Sequence, residues 1–174
     1  MDRIEKGVGN IRLRKLILIS GLVLAVVFIS PAAAMGAARG TNRPLTGAVT
    51  LTTTLNLITL AGTQVASGQL SQLGKVTDSG DLQFALVGPN GFSFTVTYTI
   101  VAANGDKLFA NGSGTGNSGP PITSTSTNTI VGGTGRFAGA SGKFTVAGIS
   151  TSVSTIGSIR TVTQTGTLNG TITY

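Results

Sequence analysis

Hydrophobic and polar residues alternate along most of the chain with a period of two, as they do in β-strands that bury one face. The clearest case is the segment FSFTVTYTI, residues 92–100, in which every second residue from Phe92 onward is apolar and the residues between are Ser or Thr. A shift of one residue would place this whole apolar set in water, so the pattern specifies the register of the strand.

The same pattern, diluted by Thr and Gly, predicts seven further strands. These seven strands are predicted at residues 46–60, 67–76, 82–86, 108–110, 122–131, 143–153 and 157–174. Together with residues 92–100 they make eight. The alternation loses its phase near Leu57, where a bulge or a turn is expected. Turns are predicted at 78–81, 88–91 and 104–106 from their Gly, Asn and Asp residues. Residues 111–121 are predicted as a polar loop, which forms a barrel mouth or an insertion.

The segment VGGTGRFAGASGKFTVAG, residues 131–148, interrupts this alternation with closely spaced glycines. Glycine takes positive φ without strain, so the chain is expected to turn here. Phe137 and Ala140 are spaced to pack on one side of a single helical turn, with Phe137 as an apolar plug. The predicted structural motif consists of Gly132, Gly133, Thr134, Gly135, Arg136, Phe137 and Gly142.

Eight antiparallel strands with frequent glycines favour closure into a small barrel, which removes exposed sheet edges. The predicted fold class is therefore all-β: a small closed antiparallel β-barrel of about eight strands with one short helical turn. An N-terminal signal segment is expected to precede it.

The segment GGTGRFAGASG resembles the GGTGxFxxAxG signature of the allene oxide cyclase-like and dirigent-like β-barrels. Residues 74–78, 103–109 and 170–174 are also similar to bacterial members of the allene oxide cyclase barrel group. The resemblance covers residues 68–174 and implies the fold. If the protein is catalytic, the resemblance implies a cofactor-free cyclase or isomerase that acts by positioning its substrate. That family uses a glutamate near its first strand, and no glutamate follows Glu5, so its catalytic site is not carried over.

The N-terminus has the three parts of a secretory signal. It begins with a basic stretch, continues with the apolar run of residues 16–29 and ends with the small residues Ala32, Ala33 and Ala34. Cleavage after Ala34, or else after Ala38, would give a periplasmic or extracellular protein. The alternative is an uncleaved membrane anchor, because residues 16–38 carry no charge. The predicted organisation is a signal peptide at 1–34, a flexible lead-in at 35–45 and the barrel domain at 46–174.

The amino-acid composition excludes several kinds of catalytic and binding site. The chain has no cysteine and no histidine, which excludes disulfides, Cys or His metal sites and Ser-His or Cys-His nucleophilic arrangements. Of the net charge of +7, much lies in the first 15 residues; after Ala34 seven basic and three acidic residues leave +4, dispersed along the chain. No basic groove for nucleic acid is therefore expected, and neither a metal nor a cofactor is predicted.

The three acidic residues after Ala34 are Asp78, Asp81 and Asp106, and each is predicted to stabilise a turn through its side chain. Arg136 is expected to bond nearby carbonyl groups, with a contact to an anion or a substrate as the alternative. The candidate lumen residues are Phe84, Phe94, Tyr98, Phe144 and Lys75.

Two functions are expected from this pattern. The first is the binding of a small apolar molecule in the barrel lumen. The alternative is a structural or adhesion module, for which the threonine ladders predicted on the outer faces argue, as at residues 123–129. A lumen open to solvent favours binding, and a lumen filled by Leu and Phe favours the structural role.

Overall fold

The computed structural model describes residues 40–174 as a closed barrel of eight antiparallel strands. The elements are β1 (Asn42–Asn56), β2 (Ala61–Leu70), β3 (Gly74–Val87), β4 (Gly91–Val101), β5 (Lys107–Asn117), β6 (Thr123–Gly133), the 3₁₀ turn η1 (Gly135–Phe137), β7 (Ser141–Ile156) and β8 (Ile159–Thr173). The predicted fold class is confirmed. The predicted signal peptide, residues 1–34, and residues 35–39 of the predicted lead-in lie outside the described residues.

Each strand pairs with the next along the chain, and β8 pairs with β1 to close the barrel. The longest ladders are the two that β8 forms, with β1 and with β7. Strands β1 and β8 are paired from Asn42 opposite Thr173 to Asn56 opposite Ile159. Strands β7 and β8 pair over nearly their full length, with one register shift between Ser150 and Ser152. Within the described part of the chain, no helix is long and apolar enough to cross a membrane.

The two ends of the barrel differ. At one end, which we call the closed end, the interior is filled by large side chains that are almost fully buried: Leu45, Leu73, Leu108, Phe137 and Ile172 are each at most 1% exposed. The β2–β3 and β4–β5 turns and η1 lie at this end. The opposite end, which we call the open end, carries the β1–β2, β3–β4, β5–β6 and β7–β8 turns.

The predicted helical turn is confirmed and forms part of the closed end. Gly135 takes φ of +55° and begins η1, where an added Cβ would collide with the Asp106 carboxylate. Phe137 at the end of η1 is fully buried, and its ring meets the Tyr174 ring edge-on at 5.0 Å between centroids. Ala140 is buried as well, so both apolar residues of the segment pack inward as expected.

Hydrogen bonds fasten this turn to the β4–β5 connection. Lys107 N donates to Thr134 Oγ1 at 2.9 Å, and Thr134 N donates to Lys107 O at 2.8 Å. Arg136 N donates to Asp106 Oδ2 at 3.1 Å. The Arg136 guanidinium donates to Gln72 O at 2.7 Å, so this arginine bonds a nearby carbonyl as expected. Asp106 lies in a turn, as predicted.

The turn predicted at residues 78–81 is wrong, because β3 runs through it from Gly74 to Val87. Asp78 and Gly80 share the inward phase of Val76 and Leu82, and Asp81 is exposed on the outer face. The turn falls earlier, at residues 71–73, so the predicted strand 67–76 is divided between β2 and β3. The prediction rested on the Asp and Gly residues, which are common in turns. Here they lie within a strand because small and polar side chains occupy its inward positions.

The loop predicted at residues 111–121 is also wrong over its first part, since β5 extends to Asn117. The inward glycines of β5 lie beneath aromatic rings of β4: an added Cβ at Gly114 would be 2.5 Å from Phe94 Cζ, and one at Gly116 would collide with Phe92. Glycine is required here because a ring occupies the space of its missing side chain. Strand β1 begins at Asn42, so the last residues of the predicted lead-in belong to the barrel.

Candidate functional site

A cavity enters the barrel from the open end. The cavity has a volume of about 120 Å³. Its walls are mainly apolar and come from most of the strands; they include Leu51, Leu55, Leu82, Phe84, Phe94 and Val162. Alternating inward residues of consecutive strands create this lining, because the barrel closes them around one axis.

Three phenylalanines form one wall of the cavity. Phe84 and Phe94 are cross-strand partners on β3 and β4, with ring centroids 5.6 Å apart. Phe92 lies 5.8 Å from Phe84 and 6.1 Å from Phe94. The glycines of β5 let these rings lie flat against the sheet, which leaves space in the lumen instead of filling it.

The turns and strand ends around the mouth of the cavity expose large apolar side chains. Ile58 and Ile156 are each 80% exposed and Leu86 is 74% exposed. Arg160 is the one charged side chain among the described residues that line this cavity. Its Nε lies 3.4 Å from Thr155 Oγ1. An apolar molecule approaching this end meets little charge before it reaches the phenylalanine wall.

The floor of the cavity is polar. We call the six inward side chains Gln64, Asp78, Tyr98, Ser126, Asn128 and Gln164 the polar layer; all except Asp78 are buried, and Asp78 is half-buried. Gln64 and Tyr98 line both the main cavity and a smaller cavity of about 20 Å³ beneath it. Asp78 lines only the smaller cavity, so its carboxyl belongs to the lower side of this floor.

Burial raises the pKa of the Asp78 carboxyl from 3.8 to about 6, because few surrounding groups replace the water that it loses. The Gln64 side chain and the Ala66 backbone oppose this rise only in part. Burial also raises the pKa of Tyr98 to about 12; Ser126 and Gln64 near its hydroxyl oppose the rise, and the charge of Asp78 adds to it.

Three buried polar atoms of this layer have no hydrogen-bond partner among the described residues: Gln64 Nε2, Asp78 Oδ1 and Asn128 Oδ1. Asn128 Nδ2 donates to Ser126 Oγ at 3.0 Å and to Phe144 O at 3.3 Å, and its Oδ1 faces the backbone of Gly112. Gln64 and Asp78 lie on neighbouring strands close to each other, yet no hydrogen bond of good geometry joins them. Unsatisfied buried groups are rare and costly, so this pair is a chemical feature of the site.

The structure brings together three of the lumen residues predicted from sequence. Phe84, Phe94 and Tyr98 line the main cavity. Phe144 lies deeper, 3% exposed, where it lines the smaller cavity and stands 6.5 Å from the Tyr98 ring. Lys75 is exposed on the outward phase of β3 near the closed end and does not point into the lumen.

Sequence reasoning missed Phe92, Gln64 and the inward position of Asp78. The signal for Asp78 was present, because Val76, Asp78, Gly80 and Leu82 continue a single period-two face. Gln64 lies in a segment, residues 61–66, for which no strand was predicted, although Gln64 and Ala66 alternate inward with the exposed Thr63 and Val65.

Comparisons of the chain with protein-family models, with curated proteins and with solved structures found no match.

Proposed function

We propose that the barrel binds a small apolar molecule in the cavity at its open end. The observation that carries this proposal is the combination of a phenylalanine wall, an accessible mouth and a filled closed end. A barrel that served only as a scaffold would gain stability by filling its lumen throughout, since cavities in a core cost free energy. Here the filling stops at the polar layer.

Secretion and kinship with the allene oxide cyclase-like barrels belong to the same proposal. The basic and apolar N-terminal pattern supports export, and the GGTGRF segment, which forms the plug of the closed end, supports the kinship. Catalysis by a cofactor-free cyclase or isomerase is the enzymatic form of the proposal. It would rest on the shape of the cavity, which would hold a reactive chain in one conformation.

The test compares ligand binding before and after the cavity is filled. N-phenyl-1-naphthylamine, a fluorescent apolar probe, is titrated against the protein and against two tryptophan variants on β8. Val162→Trp places the new ring in the cavity, whereas Thr165→Trp places the same ring on the exposed outer face. Probe binding that is lost in the first variant and kept in the second supports the proposal. Equal binding by both variants refutes it.

The second candidate function is a structural or adhesion module, which the outer faces support. Thr123, Thr125, Thr127 and Thr129 are all exposed along β6, and Thr52 Oγ1 lies 3.4 Å from Thr163 Oγ1 between β1 and β8. Native mass spectrometry separates the two candidates. A protein that carries an apolar molecule favours the lumen, and an empty, defined oligomer whose assembly fails on threonine substitution favours the outer face.

A further inference from the structure

We infer that the cavity selects an apolar alcohol, which enters with its hydroxyl leading and bridges Gln64 Nε2 and Asp78 Oδ1 at the floor. This inference rests on the proposed binding function and names the chemical class of its ligand. It follows from which polar atoms lack partners, where they lie and how much space adjoins them.

The two unpartnered atoms have opposite hydrogen-bonding character. Gln64 Nε2 can only donate, and Asp78 Oδ1 in the carboxylate can only accept. Gln64 is 5% exposed, so water outside the barrel does not satisfy its amide. A hydroxyl group is the smallest ligand end that accepts one hydrogen bond and donates another, and it would satisfy both atoms at once.

The position of the pair fits the end of an elongated molecule. Gln64 lines both cavities, and Asp78 lines the smaller one beneath the main cavity. The smaller cavity offers about 20 Å³, and one water-sized group needs roughly 10–15 Å³. The floor therefore admits a hydroxyl oxygen, while the apolar remainder of the ligand lies between Phe84, Phe92 and Phe94.

Other polar ends fit the floor less well. A carboxylate would face the Asp78 carboxylate, and the one cation among the described lining residues, Arg160, is at the mouth. An ammonium group could donate to Asp78 but has no acceptor for Gln64 Nε2. An ether or a ketone could accept from Gln64 but would leave Asp78 Oδ1 without a donor.

The experiment measures displacement of N-phenyl-1-naphthylamine by 1-decanol and by its isomer, the methyl ether of 1-nonanol. Wild-type protein is compared with Asp78→Leu, Gln64→Leu and the matched control Asp81→Leu, whose site lies on the outer face of the same strand. The ratio of ether to alcohol dissociation constants is compared between proteins, so that the difference in hydration of the two ligands cancels.

We expect this ratio to fall about tenfold in Asp78→Leu, because only the alcohol donates to the carboxylate. Gln64→Leu should weaken both ligands by several fold, because both accept from its amide, and Asp81→Leu should change neither. Asp78→Asn, which keeps a neutral acceptor, should lower the ratio by less than Asp78→Leu does.

Three results would overturn the inference while the proposed function stands. The first is that the probe binds but the ratio of dissociation constants is the same in wild type and in both Asp78 variants. The second is that decanoate displaces the probe better than 1-decanol at neutral pH, and the third is that decylamine does so, which would make the floor a cation site. If neither the probe nor any of these ligands binds, the proposed function itself has failed.

Discussion

Replacing Asp78 with asparagine should stabilise the protein, by an amount that depends on pH. The carboxyl is half-buried with one oxygen unpartnered, and its pKa rises from 3.8 to about 6 on folding. A shift of one pKa unit corresponds to about 1.4 kcal/mol, so the ionised carboxylate lowers the free energy of unfolding by at most about 3 kcal/mol. Asparagine has a similar size and carries no charge.

The sign follows from proton binding. Between pH 3.8 and about 6 the folded protein holds a proton at Asp78 that the unfolded chain releases. The contribution of this group to stability is therefore most favourable below pH 3.8, falls as the pH rises through this window, and stays at its lowest above the folded pKa. The Asp78→Asn variant lacks this dependence. Tyr98 and Gln64, which face the carboxyl from β4 and β2, bear no charge over this range.

The assay is urea denaturation of wild type, Asp78→Asn and the exposed control Asp81→Asn at intervals from pH 4 to pH 8. The stability gained by Asp78→Asn should be close to zero at the acid limit and rise toward about 2–3 kcal/mol at pH 8. Asp81→Asn should stay within about 0.5 kcal/mol of wild type throughout. A gain for Asp78→Asn that is absent at pH 8, or the same at every pH, would refute the burial argument.

Three further substitutions test the packing around the site. Gly114→Ala should destabilise the barrel by about 1–3 kcal/mol in urea denaturation and weaken probe binding, because its Cβ would lie 2.5 Å from Phe94 Cζ. Gly148→Ala, where the nearest atom is 3.4 Å away, should leave stability to urea unchanged; because Gly148 also lines the cavity, it is a control for stability alone. Phe137→Ala should cost about 3–5 kcal/mol in urea denaturation, since the fully buried ring fills the closed end, and a loss below about 1 kcal/mol would contradict this role. Asp106→Ala removes the acceptor of Arg136 N and should lower the melting temperature by an amount equivalent to about 1–2 kcal/mol, whereas an unchanged melting temperature would show that this hydrogen bond contributes nothing to stability.

The fold could be predicted because its main signal is local. Alternation such as that of residues 92–100 indicates a one-sided strand, and the glycines of residues 132–142 mark the place where the pattern gives way to a helical turn. Phe137 could be identified as a plug because it is the one large apolar residue of the segment GGTGRFAGASG.

The floor of the cavity could not be predicted in the same way, because it depends on contacts between strands. Asp78 resembled a turn residue beside Ser79 and Gly80, although its period-two phase indicated an inward position. Its pairing with Ala66 on β2 and Ile100 on β4 decides in favour of the interior. The glycines of β5 have the composition of a loop, but they form a strand whose inward face is covered by the rings of Phe92 and Phe94. Local composition cannot report which neighbouring strand fills the space above a glycine.

The most direct test of the account is a crystal structure of the protein with a decanol brominated at the end of the chain away from the hydroxyl. The anomalous signal of bromine locates that end without ambiguity. We predict one bromine site at the open end, between the rings of Phe84, Phe92 and Phe94, with the hydroxyl at Gln64 and Asp78. A bromine site on the outer face, or electron density that places the hydroxyl at the mouth beside Arg160, would contradict the account.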